Sequence, residues 1–427
     1  MSEVIQMMEV FLPAQLSVSI QLVHQVDPTA PNGLNFVHTK DSKPLSTPWQ
    51  VSEYRGRLLQ EHTLPEGPIL DCACGSGIQL SALGHVLQRP VYGIELDRER
   101  AMASAKNIQT THDFFHQQPQ PWFSKSKVFV GDSTDADAIC SVGNIEKQSI
   151  AMLYIDPARP RNSRTHGIDE MEPPLDKVLK AWHPYLALSE GFPALCFDLS
   201  PRLSEDQRKE IEGIVLSWYP QIPMIWQWSS RGGGRTDRLM LWAGCIANEG
   251  FHRRFIRYPP DQTTPFVIRT KRIDSRPPIL AENVRIGEYI SILDTALVEC
   301  QLAQEWLNTK FDDAYAWLQP SGRRPMICHS SEWSLDKSEE FLIQSSGKVV
   351  AQFEQKIEPS TIKDVASCAA AHGIGKLTLR IEMDPEQQPL MQKELDASLN
   401  PTQESCSGYV VQHPGKLIYY LCTFETK

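Results

Sequence analysis

GPILDCACGSG, residues 67–77, is the stretch that decides the fold of this chain. It combines a short apolar run with the turn pattern D-x-x-x-G-x-G. IQLSALGHVLQ (78–88) follows with the spacing of a helix, and PVYGIELD (90–97) with the composition of a second strand. A strand, a glycine-rich turn, a helix and a further strand predict one unit of a parallel α/β sheet.

The same alternation continues on the C-terminal side. It predicts an α/β fold with a Rossmann-like, doubly wound and mostly parallel sheet that carries helices on both faces. In such sheets ligands bind outside the carboxyl ends of the strands. The further predicted elements are a helix at 98–109, strands at 126–133 and 149–157, a helix at 174–186 and a strand at 192–200.

Composition shifts predict four regions along the chain. We expect an N-terminal helical or mixed segment at 1–66 and the Rossmann-like domain at 67–250. A basic, Pro-rich linker is predicted at 251–284, and a smaller α/β domain at 285–427.

Charge and cysteine content exclude several classes of protein. The net charge of −10 over 427 residues argues against a globally basic nucleic-acid binder, and 41% hydrophobic residues argue against disorder. The 10 cysteines form no CxxC pair, so we expect reduced thiols and no metal site.

No apolar run approaches the length of a membrane span, and the first residues lack the basic start of a signal peptide. We therefore expect a cytoplasmic protein without membrane association.

Acidic residues at successive strand ends predict the cofactor. Glu95 ends the second strand, where a carboxylate accepts hydrogen bonds from ribose hydroxyls of either NAD or S-adenosylmethionine. The dinucleotide fingerprint needs a third glycine, and Leu80 stands at that position. Asp71 suits the methionine ammonium, and Asp132 suits the adenine amino group, so the pattern favours S-adenosylmethionine. The residues predicted to contact the cofactor are Asp71, Cys72, Gly75, Ser76, Gly77, Glu95, Leu96, Asp132 and Ser133.

The strand at 149–157 ends in Asp156-Pro157-Ala158-Arg159, and we predict catalytic roles for Asp156, Pro157 and Arg159. Asp followed by Pro resembles motif IV of amino-methylating class I methyltransferases. That resemblance implies that Asp156 orients an exocyclic amine toward the transferred methyl group, a positioning effect. Methylation of uracil at carbon is a related alternative that needs a cysteine nucleophile. Cys196 lies inside an apolar strand and is interpreted as a core thiol.

Basic residues predict contact with nucleic acid, with a solvated surface as the alternative. One cluster is Arg159, Arg161 and Arg164, and a second is the Gly-rich loop between Arg231 and Arg235. The third lies in the predicted linker, where Phe251, Phe255, Tyr258 and Phe266 are interleaved with Arg253, Arg254, Arg257, Arg269, Lys271, Arg272 and Arg276.

Four motifs resemble class I S-adenosylmethionine-dependent methyltransferases that carry a C-terminal THUMP-like domain. They are TPWQVSEYRGR (47–57), DPAR (156–159), ILDTALV (292–298) and GIGKLTLR (373–380). The resemblance covers about residues 45–427, and it departs from the family pattern at Pro160 and Asp198. It implies the methyltransferase fold, S-adenosylmethionine as cofactor and, by analogy with true THUMP domains, RNA as partner.

The sequence thus predicts an S-adenosylmethionine-dependent methyltransferase that acts on a nitrogen of RNA. Two alternatives stay open: a methyltransferase of a small molecule or protein, and a non-catalytic RNA-binding module with the same fold. The sequence carries no indication of the oligomeric state.

Overall fold

The chain forms two compact units, and it passes between them more than once. The first unit comprises Met1–Gln227 and Arg238–Arg253, and the second comprises Trp228–Asp237 and Arg254–Lys427. The computed structural model describes residues 8–16, 23–39, 47–160, 167–247, 250–261, 264–271, 276–312, 314–402 and 405–424.

The first unit is built on a large mixed sheet with helices, in a Rossmann-like arrangement. Its strands are β1 (Glu9–Phe11), β2 (Val23–Val26), β3 (Asn35–His38), β4 (Ile69–Asp71), β5 (Val91–Glu95), β6 (Lys127–Val130), β7 (Met152–Ile155), β8 (Ala194–Leu199), β10 (Arg238–Gly244) and the first part of β9 (Met224–Ser230), whose last three residues belong to the second unit. Its helices are α1 (Trp49–Gln60), α2 (Ile78–Leu87), α3 (Arg98–Phe115), α4 (Pro121–Ser124), α5 (Ala136–Gly143), α6 (Leu175–Trp182) and α7 (Glu205–Trp218).

The sheet of this unit has the strand order β1-β6-β5-β4-β7-β8-β10-β9. The strands from β6 to β8 in this order are parallel, while β1 and β10 are antiparallel to their neighbours β6 and β8. From β4 the chain passes to β5 and then to β6 on one side of β4, and it then continues to β7 and β8 on the other side. The direction of the strand order therefore reverses at β4. Such a reversal creates the crevice in which α/β sheets bind ligands.

Local sequence explains why the helices form where they do. In α6 the apolar residues Leu175, Val178, Leu179 and Trp182 follow the helical spacing, and all four are fully buried. Asp97 caps α3 by accepting a hydrogen bond from the backbone N–H of Arg100 at 2.9 Å. The sequence therefore marks both the beginning of a helix and the face that packs on the sheet.

The second unit contains a seven-stranded sheet with the order β14-β15-β13-β16-β19-β18-β17. The pair β17 and β18 is parallel and the other pairs with known register are antiparallel. The strands of this sheet are β13 (Tyr289–Leu293), β14 (Tyr315–Gln319), β15 (Met326–His329), β16 (Ile343–Phe353), β17 (Ile374–Leu379), β18 (Cys406–Gln412) and β19 (Tyr419–Thr423). The unit also contains β11 (Arg253–Arg257) and β12 (Phe266–Thr270), which are not part of this sheet. Its helices are α8 (Thr295–Glu299), α9 (Ala303–Phe311), α10 (Ile362–Ala371) and α11 (Gln387–Ser398).

The predicted boundaries at 66, 250 and 284 differ from this division. β1 pairs with β6, so the N-terminal segment supplies a strand to the first unit instead of standing apart from it. Residues 228–237 belong to the second unit although they were assigned to the Rossmann-like domain.

The expectation of a basic linker at 251–284 was wrong for the segment that forms β11. Arg254, Phe255 and Tyr258 are at most 2% exposed, and Phe251 and Arg257 are each 7% exposed. The run combines apolar side chains with arginines whose long aliphatic stems can be buried along apolar surface. These aromatic rings therefore belong to the core and cannot stack on bases.

Two of the family motifs have a clear structural role in the second unit. Asp294 caps α8 by accepting hydrogen bonds from the backbone N–H groups of Ala296 and Leu297 at 2.9 and 3.4 Å. Gly375 lies in β17 where a Cβ atom would be 2.5 Å from the Cβ of Ser405, so close packing requires glycine there.

Candidate active site

Four carboxylates lie at the carboxyl ends of four neighbouring strands in the first unit. Asp71 is the last residue of β4 and Glu95 the last residue of β5. Asp132 follows β6 by two residues, and Asp156 directly follows β7. These strands are parallel and adjacent in the order β6-β5-β4-β7, so their acidic ends share one edge of the sheet. The predicted cofactor and catalytic acids are therefore placed on the same edge.

The glycine-rich turn between β4 and α2 is fastened to both neighbouring strands. The backbone N–H of Cys72 donates to the carbonyl of Tyr154 at 3.0 Å, and that of Cys74 donates to Ile94 at 3.0 Å. The thiol of Cys72 is buried, and burial raises its pKa. Cys72 can therefore contribute its backbone, but not a thiolate, to a ligand site.

The two glycines of the turn have different functions. Both adopt left-handed backbone angles, with φ of +52° at Gly75 and +73° at Gly77. A Cβ atom at Gly77 would lie 2.1 Å from Oγ of Ser104, whereas one at Gly75 would meet nothing within 4 Å. Gly77 is thus required by packing of α2 against α3, and Gly75 faces open space that a ligand can enter.

Glu95 connects the end of β5 to this turn. Its Oε2 accepts a hydrogen bond from the N–H of Gly75 at 3.1 Å, and its Oε1 accepts one from the N–H of Asp97 at 3.0 Å. Burial raises the pKa of Glu95, although these hydrogen bonds and Arg100 act in the opposite direction. Leu96 is 72% exposed beside it and offers an apolar surface to a ligand.

Asp71 is a buried carboxyl at the base of the turn. Its Oδ1 accepts a hydrogen bond from the N–H of Ala73 at 3.0 Å. Burial raises its pKa to about 8, and the charges of Asp156 and Glu95 act in the same direction. Among the described residues no cationic side chain forms a salt bridge with Asp71. A cationic group of a ligand would therefore find an acid without a fixed counter-ion.

Asp132 and its neighbour form a turn after β6. Oδ1 of Asp132 accepts hydrogen bonds from both the backbone N–H and the hydroxyl of Thr134, each at 2.8 Å. This arrangement holds the exposed carboxylate in one orientation. Ser133 is buried, and its carbonyl accepts a hydrogen bond from Nε1 of Trp182 at 2.7 Å. The carbonyl of Ser76 likewise accepts a hydrogen bond, from Nδ2 of Asn107 at 2.7 Å.

Beneath Asp156 lies a buried ion pair that our sequence analysis did not predict. Nη2 of Arg55 is 2.9 Å from Oδ2 of Asp198, and the side chains are only 2% and 1% exposed. Nη1 of the same guanidinium donates to the hydroxyl of Tyr154 and to Oε1 of Gln79, at 2.7 Å each. Asp198 is a position at which the sequence departs from the expected pattern. Its negative charge is balanced by Arg55, which belongs to the motif at 47–57.

Arg238 extends this ion pair to the predicted catalytic acid. Its Nη1 lies 3.2 Å from Oδ2 of Asp156 and 3.4 Å from Oδ2 of Asp198. Burial and the charge of Asp198 raise the pKa of Asp156 to about 6, while Arg238, Arg55 and Arg159 lower it. Asp156 is therefore ionised near neutral pH and can accept hydrogen bonds.

The loop after β7 gives Pro157 and Arg159 different surroundings. Pro157 is buried, and the loop is closed by reciprocal backbone hydrogen bonds between Ala158 and Glu172 at 2.8 and 2.9 Å. Nε and Nη2 of Arg159 are buried and have no hydrogen-bond partner among the described residues. Burial lowers the pKa of Arg159, and the charge of Asp156 opposes that shift. Arg161 and Arg164 lie outside the described residues.

Cys196 lies within β8 and is fully buried. A thiol in the middle of a buried strand cannot attack a substrate. The geometry therefore disfavours the carbon-methylating alternative, which needs an accessible cysteine nucleophile.

Within the described ranges, no helix is long and apolar enough to cross a membrane. The same part of the chain holds no group of three or more His, Cys, Asp or Glu residues that could bind a metal ion.

Solved methyltransferase structures are similar to part of this chain. Phosphoethanolamine N-methyltransferase 2 of Haemonchus contortus, solved with S-adenosylhomocysteine, has 13% identity and a TM-score of 0.28, covering 41% of this chain and 39% of its own. A second structure of that enzyme holds S-adenosyl-L-methionine. A SAM-dependent methyltransferase from Aquifex aeolicus has 14% identity and a TM-score of 0.31, covering 47% of this chain and 95% of its own. An O-methyltransferase from Bacillus cereus, in complex with S-adenosylhomocysteine, has 14% identity and a TM-score of 0.31, covering 47% of this chain and 82% of its own.

No protein-family model matches the chain, and no curated protein matches it. This chain covers less than half the length of the H. contortus enzyme. The identities and TM-scores of these structures are low.

Proposed function

We propose that the first unit binds S-adenosylmethionine and transfers its methyl group to a nitrogen acceptor. The observation that carries this proposal is the line of four acids at adjacent strand ends, with the open face of Gly75 among them. The residues fit the proposed cofactor, since it combines an ammonium, a ribose and an adenine ring, each of which an acid at a different strand end can bind.

The cofactor-binding residues have distinct roles in this proposal. Asp71 would hold the methionine ammonium, because it is a buried acid with no ion-pair partner in the described chain. Glu95 would give up the hydrogen bond that it accepts from Gly75 and would accept hydrogen bonds from the ribose hydroxyls instead. The exposed side chain of Leu96 would contact the ring system of the cofactor. Asp132 has a second oxygen beyond the one bound to Thr134 and would accept from the adenine amino group.

Asp156 is the proposed residue for positioning the acceptor. The bound cofactor supplies an electrophilic methyl group. The carboxylate of Asp156 accepts a hydrogen bond from an N–H of the acceptor and thereby directs its lone pair, which is a positioning effect. Arg238 keeps the carboxylate ionised, and the Arg55–Asp198 pair holds Arg238 in place.

We propose RNA as the acceptor class, in agreement with the resemblance of the four motifs to methyltransferases with a THUMP-like domain. Arg159 near Asp156 supports this choice, because two of its buried guanidinium nitrogens have no hydrogen-bond partner among the described residues and a planar guanidinium can pair with phosphate or stack on a base. The identity of the second unit as a THUMP-like domain is part of the same proposal.

Cofactor binding is tested by titration calorimetry of the full chain with S-adenosylhomocysteine and with NADH. We expect S-adenosylhomocysteine to bind and to raise Tm, because a ligand that binds the native state stabilises it. Glu95→Gln should weaken binding by about tenfold or more, equivalent to ~1.4 kcal/mol. Glu99→Gln, an exposed residue in the first turn of α3, is the matched control. Binding of NADH without S-adenosylhomocysteine would overturn the proposal.

The acceptor is tested with tritiated S-adenosylmethionine and separate pools of cellular RNA, protein and small metabolites. We expect label in RNA that ribonuclease releases, and loss of that label in Asp156→Asn. Label in protein or metabolites would refute the choice of RNA while retaining the methyltransferase. Cofactor binding without label in any pool would favour the non-catalytic module.

A further inference from the structure

The second unit contains a cavity with an unusual concentration of arginine. Its volume is about 500 Å³. Four arginines line it, against a single carboxylate, Glu340. These arginines are Arg257, Arg323, Arg324 and Arg380. The cavity is formed entirely by residues of the second unit and shares none with the carboxylate site described above.

Arg257 forms the buried end of this cavity. Its side chain is 8% exposed, and its Nε lies 3.3 Å from Oδ2 of Asp294. Nε and Nη1 also donate to the carbonyls of Phe341 at 3.0 Å and Tyr258 at 2.5 Å. Nη2 has no hydrogen-bond partner among the described residues, and a Cβ atom at Gly232 would lie 2.7 Å from it. Glycine at 232 thus leaves this donor uncovered.

The other three arginines lie close to one another, and none of them forms a salt bridge with a described residue. Nη1 of Arg324 donates to the carbonyl of Ile381 at 2.9 Å. Burial lowers the pKa of Arg324, and the charges of Arg380 and Arg323 lower it further, with Glu382 partly opposing them. Nε of Arg380 is buried and has no hydrogen-bond partner in the described part of the chain. Like charges held together in this way are stabilised when an anion lies between them.

The backbone also suits close approach of a ligand. Gly233 and Gly234 line the cavity with φ of +80° and +69°, a region that favours glycine. Their N–H groups donate to no acceptor among the described residues. A Cβ atom at Gly233 would meet nothing within 4 Å, so this side of the cavity is open at the backbone.

We propose that this cavity binds a terminal phosphate group. A terminal phosphate carries close to two negative charges and three acceptor oxygens, and guanidinium groups bind such oxygens in pairs. The two negative charges of a terminal phosphate match the several arginines that line the cavity. The cavity volume of about 500 Å³ leaves room for the attached nucleoside. The phosphate can come from the 5′ end of an RNA strand or from a free nucleotide, which share this chemistry. The proposal does not depend on methyl transfer by the first unit.

The test uses the full chain, inorganic pyrophosphate, AMP, and two RNA 10-mers of one sequence that differ only in a 5′-phosphate or 5′-hydroxyl. We expect pyrophosphate to bind in calorimetry and the 5′-phosphorylated RNA to bind at least tenfold more tightly than its partner in fluorescence anisotropy. Arg380→Gln and Arg323→Gln should each reduce this preference to less than threefold. Arg323 is exposed, so its substitution does not threaten folding. Lys376→Gln, an exposed cation on β17, is the charge-matched control and should change nothing.

The outcomes separate the two sources of phosphate. A preference for the 5′-phosphorylated RNA identifies a strand end as the ligand. Arginine-dependent binding of pyrophosphate and AMP, with equal affinity for both RNAs, identifies a free nucleotide. If pyrophosphate and AMP do not bind and the RNAs bind equally, or if the two arginine variants behave like the Lys376 control, the proposal is wrong.

Discussion

Substitution of Asp198 by asparagine tests the buried charges that support the candidate active site. In the native protein Arg55 and Asp198 are 2.9 Å apart and almost completely buried. Removal of one partner of a buried ion pair commonly costs 3–5 kcal/mol, because the other charge stays buried without compensation. Arg55 keeps Tyr154 and Gln79 as acceptors, so the lower end of this range applies. We expect the free energy of unfolding of the first unit to fall by roughly 3 kcal/mol in Asp198→Asn.

The assay must report on the first unit separately. Urea unfolding can be followed by pulsed hydrogen exchange and mass spectrometry, read on peptides that contain β7 and β8. Asp206→Asn, an exposed residue in the first turn of α7, is the control and should cost no more than about 1 kcal/mol. A double-mutant cycle with Asp198→Leu and Arg55→Met should show a coupling of at least about 1.5 kcal/mol. A loss below 1 kcal/mol in Asp198→Asn, or additive losses in the cycle, would refute the reasoning.

Three further predictions concern the strand ends. Gly77→Ala should lower Tm strongly, because its Cβ would lie 2.1 Å from Oγ of Ser104, whereas Gly75→Ala should melt near the wild-type Tm and lose S-adenosylhomocysteine in calorimetry. If Gly75→Ala binds normally, the open face of the turn is not the cofactor site. Calorimetry between pH 6 and pH 8 should show S-adenosylhomocysteine binding more tightly as the pH rises. The pKa of Asp71 is about 8, so its ionised fraction grows about 50-fold over this range, and only the ionised form attracts an ammonium; a flat profile would contradict the role of Asp71. The rate of methyl transfer should increase with pH around a midpoint near 6, as Asp156 loses its proton, and Asp156→Asn should reduce kcat by about 10²–10³-fold with unchanged cofactor affinity. Near-normal kcat in that variant would make Asp156 a structural residue.

Local patterns in the sequence predicted much of the first unit. The apolar runs that become β4, β5, β6, β7 and β8 have the length and composition of buried strands, and α6 shows the helical spacing of its buried face. The acids at the strand ends could be recognised because the end of a strand is visible as the end of an apolar run. Their common edge then follows from the parallel arrangement.

The charge network could not be predicted in the same way. Arg55 and Asp198 are 143 positions apart, and Arg238 is 40 positions from Asp198. Periodicity shows which face of an element is buried, but it does not show which charged residues meet across several crossovers. The sequence offered one signal: Arg55 lies in the motif at 47–57, and Asp198 is an acid where a basic or neutral residue was expected.

In the basic run at 251–276, residues that were predicted to lie on the surface are buried. Arginines are usually exposed, so a run of them predicts a solvated surface. Arg254 is fully buried in β11, next to the core residue Phe255. The prediction from charge was therefore wrong for this strand, in which Phe255 and Ile256 are both buried.

The path of the chain between the two units has a consequence for how the protein is made. Residues 228–237 belong to the second unit, yet β10 begins at the next residue and belongs to the first. Within the second unit, Ser230 donates a hydrogen bond to Asp294 and Thr236 bonds to Glu299, 64 and 63 positions further along. During synthesis on the ribosome, the side chains of residues 228–237 can therefore form these hydrogen bonds only after residues up to 299 have emerged. A chain stopped after residue 250 would keep residues 228–237 but lack those partners, so expression of the first unit alone should leave this segment open to proteases.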